Sequence, residues 1–221
     1  MKIHSIFPSI SGEVGAINQG EYCVFIRTSG CNLDCPYCDA IEAKTKGLVM
    51  SYQEIMKHIQ SYETKNVIIT GGEPLLQPHE EMRDLCNSLK LKGYTVSIET
   101  NGSIPLSLNL DIDSFVVDYK LDFMNKMYQP NFRVLRKSDF IKFVVSRHTV
   151  DLAIHIHERF KMQGVSAKIS YSPLTPVNPT NSDNDWIKET REISRAIYNG
   201  CKTKSLPFII NVQLHKILSF D

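Results

Sequence analysis

The sequence has no long hydrophobic run and few cysteines, and both shortages limit where the protein can work. No stretch approaches the roughly 20 apolar residues of a membrane span, and Pro8 interrupts the N-terminal segment before the apolar region of a signal peptide could form. Six cysteines in 221 residues are too sparse for the disulfide framework of a small secreted domain. We therefore expect a cytoplasmic, reducing setting and no membrane partner.

Net charge is also nearly absent. The chain has 25 Lys and Arg residues against 24 Asp and Glu residues, so there is no electrostatic reason to expect a nucleic-acid partner. A length of 221 residues suits one domain covering residues 1–221, and it falls below the roughly 250 residues of a complete eight-fold β/α barrel. We expect a single domain that acts on a small molecule.

Short apolar, β-branched runs alternate with segments of helical period, which is typical of β/α units around a parallel sheet. Strands are predicted at 23–28, 66–70, 94–99, 114–118, 140–146 and 167–171. Helices are predicted at 51–63, about 78–93, 149–163 and 183–198. Ser51 and Glu54 predict a capping box at the start of the first helix, and Gly200 predicts the end of the last one. Residues 119–137 show no clear period and are predicted to form a long loop. Because a closed barrel needs eight strands, we predict an α/β fold with a partial, open β/α barrel of about six parallel strands.

Polar residues collect where the predicted strands end. These segments are residues 28–39, 70–74, 99–102, 118–120 and 171–175. In β/α folds the carboxyl edge of the sheet is where active sites form. The five segments should therefore converge in space.

Cys31, Cys35 and Cys38 are the most informative residues, because their spacing offers three thiolates in one loop. A [4Fe-4S] cluster normally takes four thiolates, so three leave one iron open to a ligand that is not protein. The alternative is a zinc-binding interaction domain, but structural zinc usually needs four ligands in two paired halves. No second half follows Cys38 at zinc-finger spacing.

Two motifs resemble the signature motifs of the radical S-adenosylmethionine superfamily. Tyr37 stands just before the last cysteine of the loop, and residues 71–74 (Gly-Gly-Glu-Pro) follow a predicted strand. The resemblance implies that the three cysteines bind the cluster while the amine and carboxylate of S-adenosylmethionine chelate the fourth iron. The glycine pair, including Gly72, would let the backbone approach that amine because it has no Cβ atoms.

Four further segments resemble the 7-carboxy-7-deazaguanine synthase family within this superfamily. They are residues 11–13 (Ser-Gly-Glu), 25–27 (Phe-Ile-Arg), 99–102 (Glu-Thr-Asn-Gly) and 213–216 (Gln-Leu-His-Lys). The resemblance implies a homodimer that receives an electron from flavodoxin or ferredoxin. It also implies conversion of 6-carboxy-5,6,7,8-tetrahydropterin to 7-carboxy-7-deazaguanine with loss of ammonia, on the route to queuosine and related 7-deazapurines.

The same resemblance assigns roles residue by residue. Arg27 would pair with the substrate carboxylate, which a guanidinium can hold by two parallel hydrogen bonds. The other substrate contacts would be Ile10, Ser11, Gly12, Thr70, His215 and Asp221. The S-adenosylmethionine contacts would be Tyr37, Cys38, Asp39, Gly72, Glu99, Asp118, Tyr119, Lys120, Ser172, Pro173 and Leu174. His215 and Lys120 are the candidates for acid–base catalysis.

The chain departs from the family pattern in two places. Family members commonly have Thr or Ser after the Cys-Asp pair, where the hydroxyl helps to bind magnesium, but this chain has Ala40. A methyl group cannot ligate a hard cation, so magnesium either binds through Asp39, substrate oxygens and water or is dispensable. Residues 118–120 read Asp-Tyr-Lys where many members carry Ser-Pro-Lys. Another small radical enzyme, such as a glycyl-radical activase, is the alternative within the superfamily.

Overall fold

The computed structural model describes residues 1–106, 109–174 and 184–218, and in this part the chain builds one nine-stranded sheet. The strands are β1 (Lys2–Ile10), β2 (Tyr22–Thr28), β3 (Leu48–Val49), β4 (Asn66–Gly71), β5 (Thr95–Thr100), β6 (Ser114–Asp118), β7 (Phe140–Val145), β8 (Lys168–Pro173) and β9 (Ile209–Ile210). The α-helices are α1 (Tyr52–Ile59), α2 (His79–Leu91), α3 (Asn131–Val134), α4 (Val150–Met162), α5 (Asn184–Thr203) and α6 (Leu214–Ile217).

The strand order is β3-β1-β2-β4-β5-β6-β7-β8-β9. Strands β2 and β4 to β9 pair in parallel, whereas β1 is antiparallel to both of its neighbours. The two-residue strands β3 and β9 form the edges. This arrangement confirms the predicted α/β fold, because the six predicted strands form a consecutive parallel run from β2 to β8.

Strand β1 was not predicted, because Pro8 suggested a break in the N-terminal segment. In the structure Pro8 lies within β1, opposite Val24 of β2. Strand β3 pairs only with Lys2 and Ile3, so most of β1 has an open edge in the described sheet. Proline is tolerated on such edge strands, where fewer backbone donors are needed.

Most helix boundaries lie within two residues of the prediction, but α1 ends at Ile59 instead of residue 63, and the end of α5 also differs. Ser51 and Glu54 form the predicted capping box at the start of α1. Helix α5 continues past Gly200 to Thr203, so the predicted end at residue 198 is wrong. A Cβ atom at Gly200 would lie 2.5 Å from Ile154 Cδ1, so this glycine allows α4 and α5 to pack closely instead of ending the helix.

The prediction of a long loop at 119–137 is also wrong. Residues Leu121–Lys126 form a 3-10 helix, and α3 follows it. The segment is ordered by burial of its apolar side chains, because Leu121, Met127 and Phe132 all belong to the main hydrophobic core. None of the described helices has both the length and the apolar character that crossing a bilayer requires.

One face of the sheet packs against α1, α2, α4 and α5, and the opposite face carries polar side chains toward the carboxyl ends of the strands. Arg27 of β2 lies opposite Thr70 of β4, and Asp118 of β6 lies opposite Lys142 of β7. Residues paired across neighbouring strands lie on the same face. The strand register therefore gathers charged groups from separate parts of the sequence at one place.

Candidate functional site

A cavity of about 180 Å³ lies at the carboxyl edge of the sheet. Its walls come from β1, β2 and β4 to β7, and the cysteine loop closes one side. The lining includes many of the residues predicted from sequence: Gly12, Arg27, Cys31, Cys35, Tyr37, Cys38, Asp39, Thr70, Gly72, Glu99, Asp118, Lys120 and Leu174. All five polar segments therefore contribute to the cavity lining, and residues 171–175 contribute only Leu174 among the described residues.

All three cysteines of the loop are free thiols that line the cavity. Backbone hydrogen bonds hold the loop in place, including one of 2.8 Å from Gly30 N to Ala43 O. Among the described residues, no three His, Cys, Asp or Glu side chains converge on a single metal ion. In a cubane cluster each thiolate binds a different corner iron, so three thiols that line one cavity suit a cluster.

The glycine pair at the end of β4 lies against the start of the cysteine loop. Gly71 has φ +127°, and a Cβ atom there would lie 2.3 Å from Thr28 N. A Cβ atom on Gly72 would lie 2.0 Å from Gly30 O. Only glycine allows backbones to approach this closely. The pair therefore positions the cysteine loop as well as lining the cavity through Gly72.

Glu73 joins this glycine turn to the segment that follows β5. Its buried carboxylate accepts hydrogen bonds from Thr100 Oγ1 and Asn101 N, each 2.7 Å long, and from Leu75 N at 3.0 Å. Burial raises the pKa of Glu73 although these donors oppose the shift. The carboxyl group therefore has a structural role and fixes residues 99–102 beside the cysteine loop.

A chain of buried charges crosses the cavity floor. Lys142 Nζ pairs with Glu13 and lies 3.3 Å from Asp118 Oδ2, which also contacts Lys120 Nζ at 2.6 Å. Burial disfavours the charged lysine, but the charges of Asp118 and Glu13 raise the pKa of Lys142 well above its usual range. Gln213 Nε2 extends the chain by donating to Glu13 Oε1 over 2.9 Å.

Glu99 borders this chain of charges and is the carboxyl group in the cavity that titrates near neutrality. Its Oε2 atom accepts a 3.0 Å hydrogen bond from Thr70 Oγ1. Burial, and then repulsion by Glu13, raises the pKa of Glu99 to about 7. This group can therefore hold or release a proton at physiological pH.

Arg27 presents a cation whose charge is not neutralised within the described part of the chain. Its guanidinium carbon lies 4.9 Å from the centre of the Phe7 ring, and Phe7 stacks on Phe25. The Nε atom of Arg27 is buried and has no hydrogen-bond partner among the described residues. An unpartnered buried donor is costly, so this arrangement favours an anionic ligand in the cavity.

Five predicted contact residues do not line the cavity: Ile10, Ser11, Tyr119, Ser172 and Pro173. The prediction that Tyr119 contacts S-adenosylmethionine is wrong, because its buried ring packs in the core against Phe132, Phe143 and Phe160. The hydroxyl of Ser172 donates to Asn211 O at 3.3 Å and so joins β8 to the segment after β9. The buried Ser11 hydroxyl bonds to Glu13 O at 3.3 Å.

Two of the predicted substrate contacts, His215 and Asp221, lie in the C-terminal tail. The backbone of His215 lies in α6, but the description does not cover its side chain. Asp221 lies outside the described residues.

Sequence analysis assigned no role to Glu13, Lys142 or Gln213, although all three line the cavity. Lys142 carries a signal that could have identified it, because it is the only charged residue in the apolar strand β7. A lysine in a strand buried on both faces needs a partner. Glu13 belongs to the Ser-Gly-Glu motif at residues 11–13, but nothing in its local sequence indicates that it pairs with a residue so far along the chain.

Comparison with known proteins agrees with this geometry. The model of the radical SAM superfamily matches residues 25–190. A 7-carboxy-7-deazaguanine synthase from Methanospirillum hungatei is 33% identical over 220 residues, which cover 99% of this chain and 85% of that protein. The enzyme of the same name from Clostridium acetobutylicum is 44% identical over 155 residues, covering 66% of this chain and 68% of the relative.

A solved structure has the same fold. The crystal structure of QueE from Escherichia coli aligns with a TM-score of 0.69 and 19% identity, covering 96% of this chain and 93% of that one. At this identity the likeness concerns the fold, and the sequence relatives carry the family assignment.

Proposed function

The chain belongs to the radical S-adenosylmethionine superfamily and, within it, to the 7-carboxy-7-deazaguanine synthases, and we propose that it forms 7-carboxy-7-deazaguanine from 6-carboxy-5,6,7,8-tetrahydropterin. The observation that carries this proposal is a single cavity that contains both the three thiols of the cysteine loop and the guanidinium of Arg27, whose Nε has no hydrogen-bond partner among the described residues. The thiols suit a cluster with one open iron, and the guanidinium suits a carboxylate substrate.

The cluster and S-adenosylmethionine, when bound, supply the one-electron chemistry that begins the ring contraction. We propose that Cys31, Cys35 and Cys38 hold the cluster. Their loop is fixed from behind by the close backbone contact between Gly72 and Gly30. This contact thereby fixes the position of the cysteine loop beside the cavity.

S-adenosylmethionine would lie beside the cysteine loop. Lys120 Nζ lies 5.4 Å from the centre of the Tyr37 ring, and both residues line the cavity. Asp118 holds Lys120 in this position through its 2.6 Å ion pair. We propose that Lys120 and Tyr37 contact the cofactor, and that Gly72 and Leu174 complete its binding surface.

The pterin would occupy the part of the cavity next to β1 and β2, with its carboxylate on Arg27. The ring of Phe7 supports the guanidinium from one side, which leaves the hydrogen-bonding edge free for a ligand. Thr70 and Glu99 lie on the neighbouring strands β4 and β5. Glu99 can hold a proton on a carboxyl oxygen near neutral pH, and we add it to His215 and Lys120 as an acid–base candidate.

The proposal also covers how magnesium would bind, which protein donates the electron, and the oligomeric state. Asp39 and Ala40 both line the cavity, so a magnesium ion would have one carboxylate ligand and would need substrate oxygens and water to complete its shell. We propose a flavodoxin or ferredoxin as the electron donor and a homodimer as the working state.

The test is anaerobic turnover of 6-carboxy-5,6,7,8-tetrahydropterin with dithionite and S-adenosylmethionine, followed by mass spectrometry of the product. The Arg27→Gln variant should raise KM for the pterin by roughly tenfold or more, because a charge-assisted contact contributes about 1.5–3 kcal/mol. Arg133→Gln, which changes an exposed arginine, is the matched control and should leave KM unchanged. A fully loaded enzyme that yields no deazaguanine product would reject the proposed reaction.

A further inference from the structure

Asn101 lies directly behind the cysteine loop, and the orientation of its side-chain amide is fixed by its neighbours. It follows β5, and its backbone N–H is held by Glu73. Its Oδ1 atom accepts hydrogen bonds from Ser103 N at 3.0 Å and from Ser103 Oγ at 2.6 Å. Because a backbone N–H can only donate, this atom must be the amide oxygen. The amide nitrogen therefore faces the opposite way.

The amide nitrogen of Asn101 faces two acceptors in the cysteine loop. Nδ2 lies 3.0 Å from Asn32 Oδ1 and 3.9 Å from Cys31 Sγ, so the contact with sulfur is the weaker of the two. Asn32 is itself fixed, because its Nδ2 donates to Ser103 Oγ over 2.8 Å. The side chains of Asn101, Ser103 and Asn32 thus form a closed set of hydrogen bonds. One N–H of Asn101 is left directed at the sulfur.

We propose that Asn101 tunes the iron–sulfur cluster by donating a hydrogen bond to the sulfur of Cys31. This inference rests on the proposed role of Cys31 as a cluster ligand. Reduction adds one electron, supplied by a ferredoxin-type donor, and it breaks no bond. Part of the added charge resides on the thiolate sulfurs, so an N–H donor stabilises the reduced cluster more than the oxidised one. Asn101 therefore raises the reduction potential and eases electron entry.

The test is the midpoint potential of the reconstituted cluster, measured by anaerobic redox titration with an electron paramagnetic resonance readout. Asn101→Leu removes the donor at similar size and should lower the one-electron reduction constant by up to tenfold, which corresponds to about 59 mV. Asn101→Asp keeps the shape but turns an oxygen toward the sulfur, and its potential should fall further. Ser103→Ala keeps the backbone N–H that orients the amide, and its potential should match the wild type.

A loaded Asn101→Leu protein with the wild-type potential would overturn the inference. Loss of cluster loading in both Asn101 variants, with circular dichroism unchanged, would also overturn it, because a tuning contact is not needed for assembly. Failure of the wild-type protein to load a cluster is a different result, since it rejects the proposed function and not only the role of Asn101.

Discussion

Lys142 Nζ lies 3.3 Å from Asp118 Oδ2, and the same ammonium group pairs with Glu13. The two carboxylates come from the N-terminal segment and from β6, so one buried lysine neutralises charges from distant parts of the chain. Removing one partner of a buried ion pair leaves a charge without compensation. Lys142 is therefore a structural support of the cavity floor.

We expect Lys142→Met to lower the free energy of unfolding by about 3–5 kcal/mol, because Glu13 loses its counter-charge and Asp118 keeps only Lys120. Urea denaturation at pH 7 measures this change. Lys168→Met is the matched control, because Lys168 is exposed at the start of the adjacent strand β8, and its effect should stay below about 1 kcal/mol. Equal effects of the two substitutions would contradict the role of Lys142.

Gly72→Ala should displace the cysteine loop. The added methyl group would meet the backbone oxygen of Gly30 at 2.0 Å, and backbone cannot yield as a flexible side chain does. We expect a large loss of iron and sulfide after anaerobic reconstitution. Gly93→Ala is the control, because a Cβ atom there meets nothing within 4 Å; its positive φ should cost only about 1 kcal/mol. Normal cluster loading in Gly72→Ala would show that the close backbone contact is not required.

Glu99 should make the protein less stable as pH rises. Its pKa is raised to about 7 from the ordinary value of 4.5, so the folded state binds the proton more tightly than the unfolded state. The stability it contributes is complete below about pH 4.5 and is lost as pH rises through about 7. Glu99→Gln should therefore gain about 2–3 kcal/mol relative to wild type between pH 5 and pH 8. Thermal unfolding of both proteins across this range gives the difference, and parallel curves would contradict it.

The parallel strands could be predicted because each is a short, apolar, β-branched run, and the cysteine loop could be predicted because its chemistry lies within eight consecutive residues. Strand β1 could not, since it contains Pro8 and its pairing with β2 depends on contacts across the sheet. Gly200 was misleading because the sequence does not reveal that Ile154 packs against it. The local sequence pattern was therefore enough to predict most strands and helices, whereas strand β1 and the end of α5 depend on packing between distant residues.

The same limit applies to the site. The family resemblance assigned Arg27 and Thr70 to the substrate, and both lie near the ends of predicted strands, which meet at one edge of the sheet. The pairing of Glu13 with Lys142 joins residues that lie 129 positions apart in the sequence, and no local spacing encodes it. Tyr119 was assigned to the cofactor because its neighbours Asp118 and Lys120 belong there. In the structure its ring turns the other way, into the aromatic core.

Cys31, Cys35 and Cys38 are proposed to hold a [4Fe-4S] cluster whose open iron receives S-adenosylmethionine. The most direct measurement is iron and sulfide analysis of anaerobically reconstituted protein, with the electron paramagnetic resonance spectrum of the reduced protein recorded before and after addition of S-adenosylmethionine. We predict about four irons and four sulfides per chain and a spectrum that changes when S-adenosylmethionine is added. One zinc ion per chain without sulfide, or a cluster spectrum that S-adenosylmethionine leaves unaltered, would contradict the account.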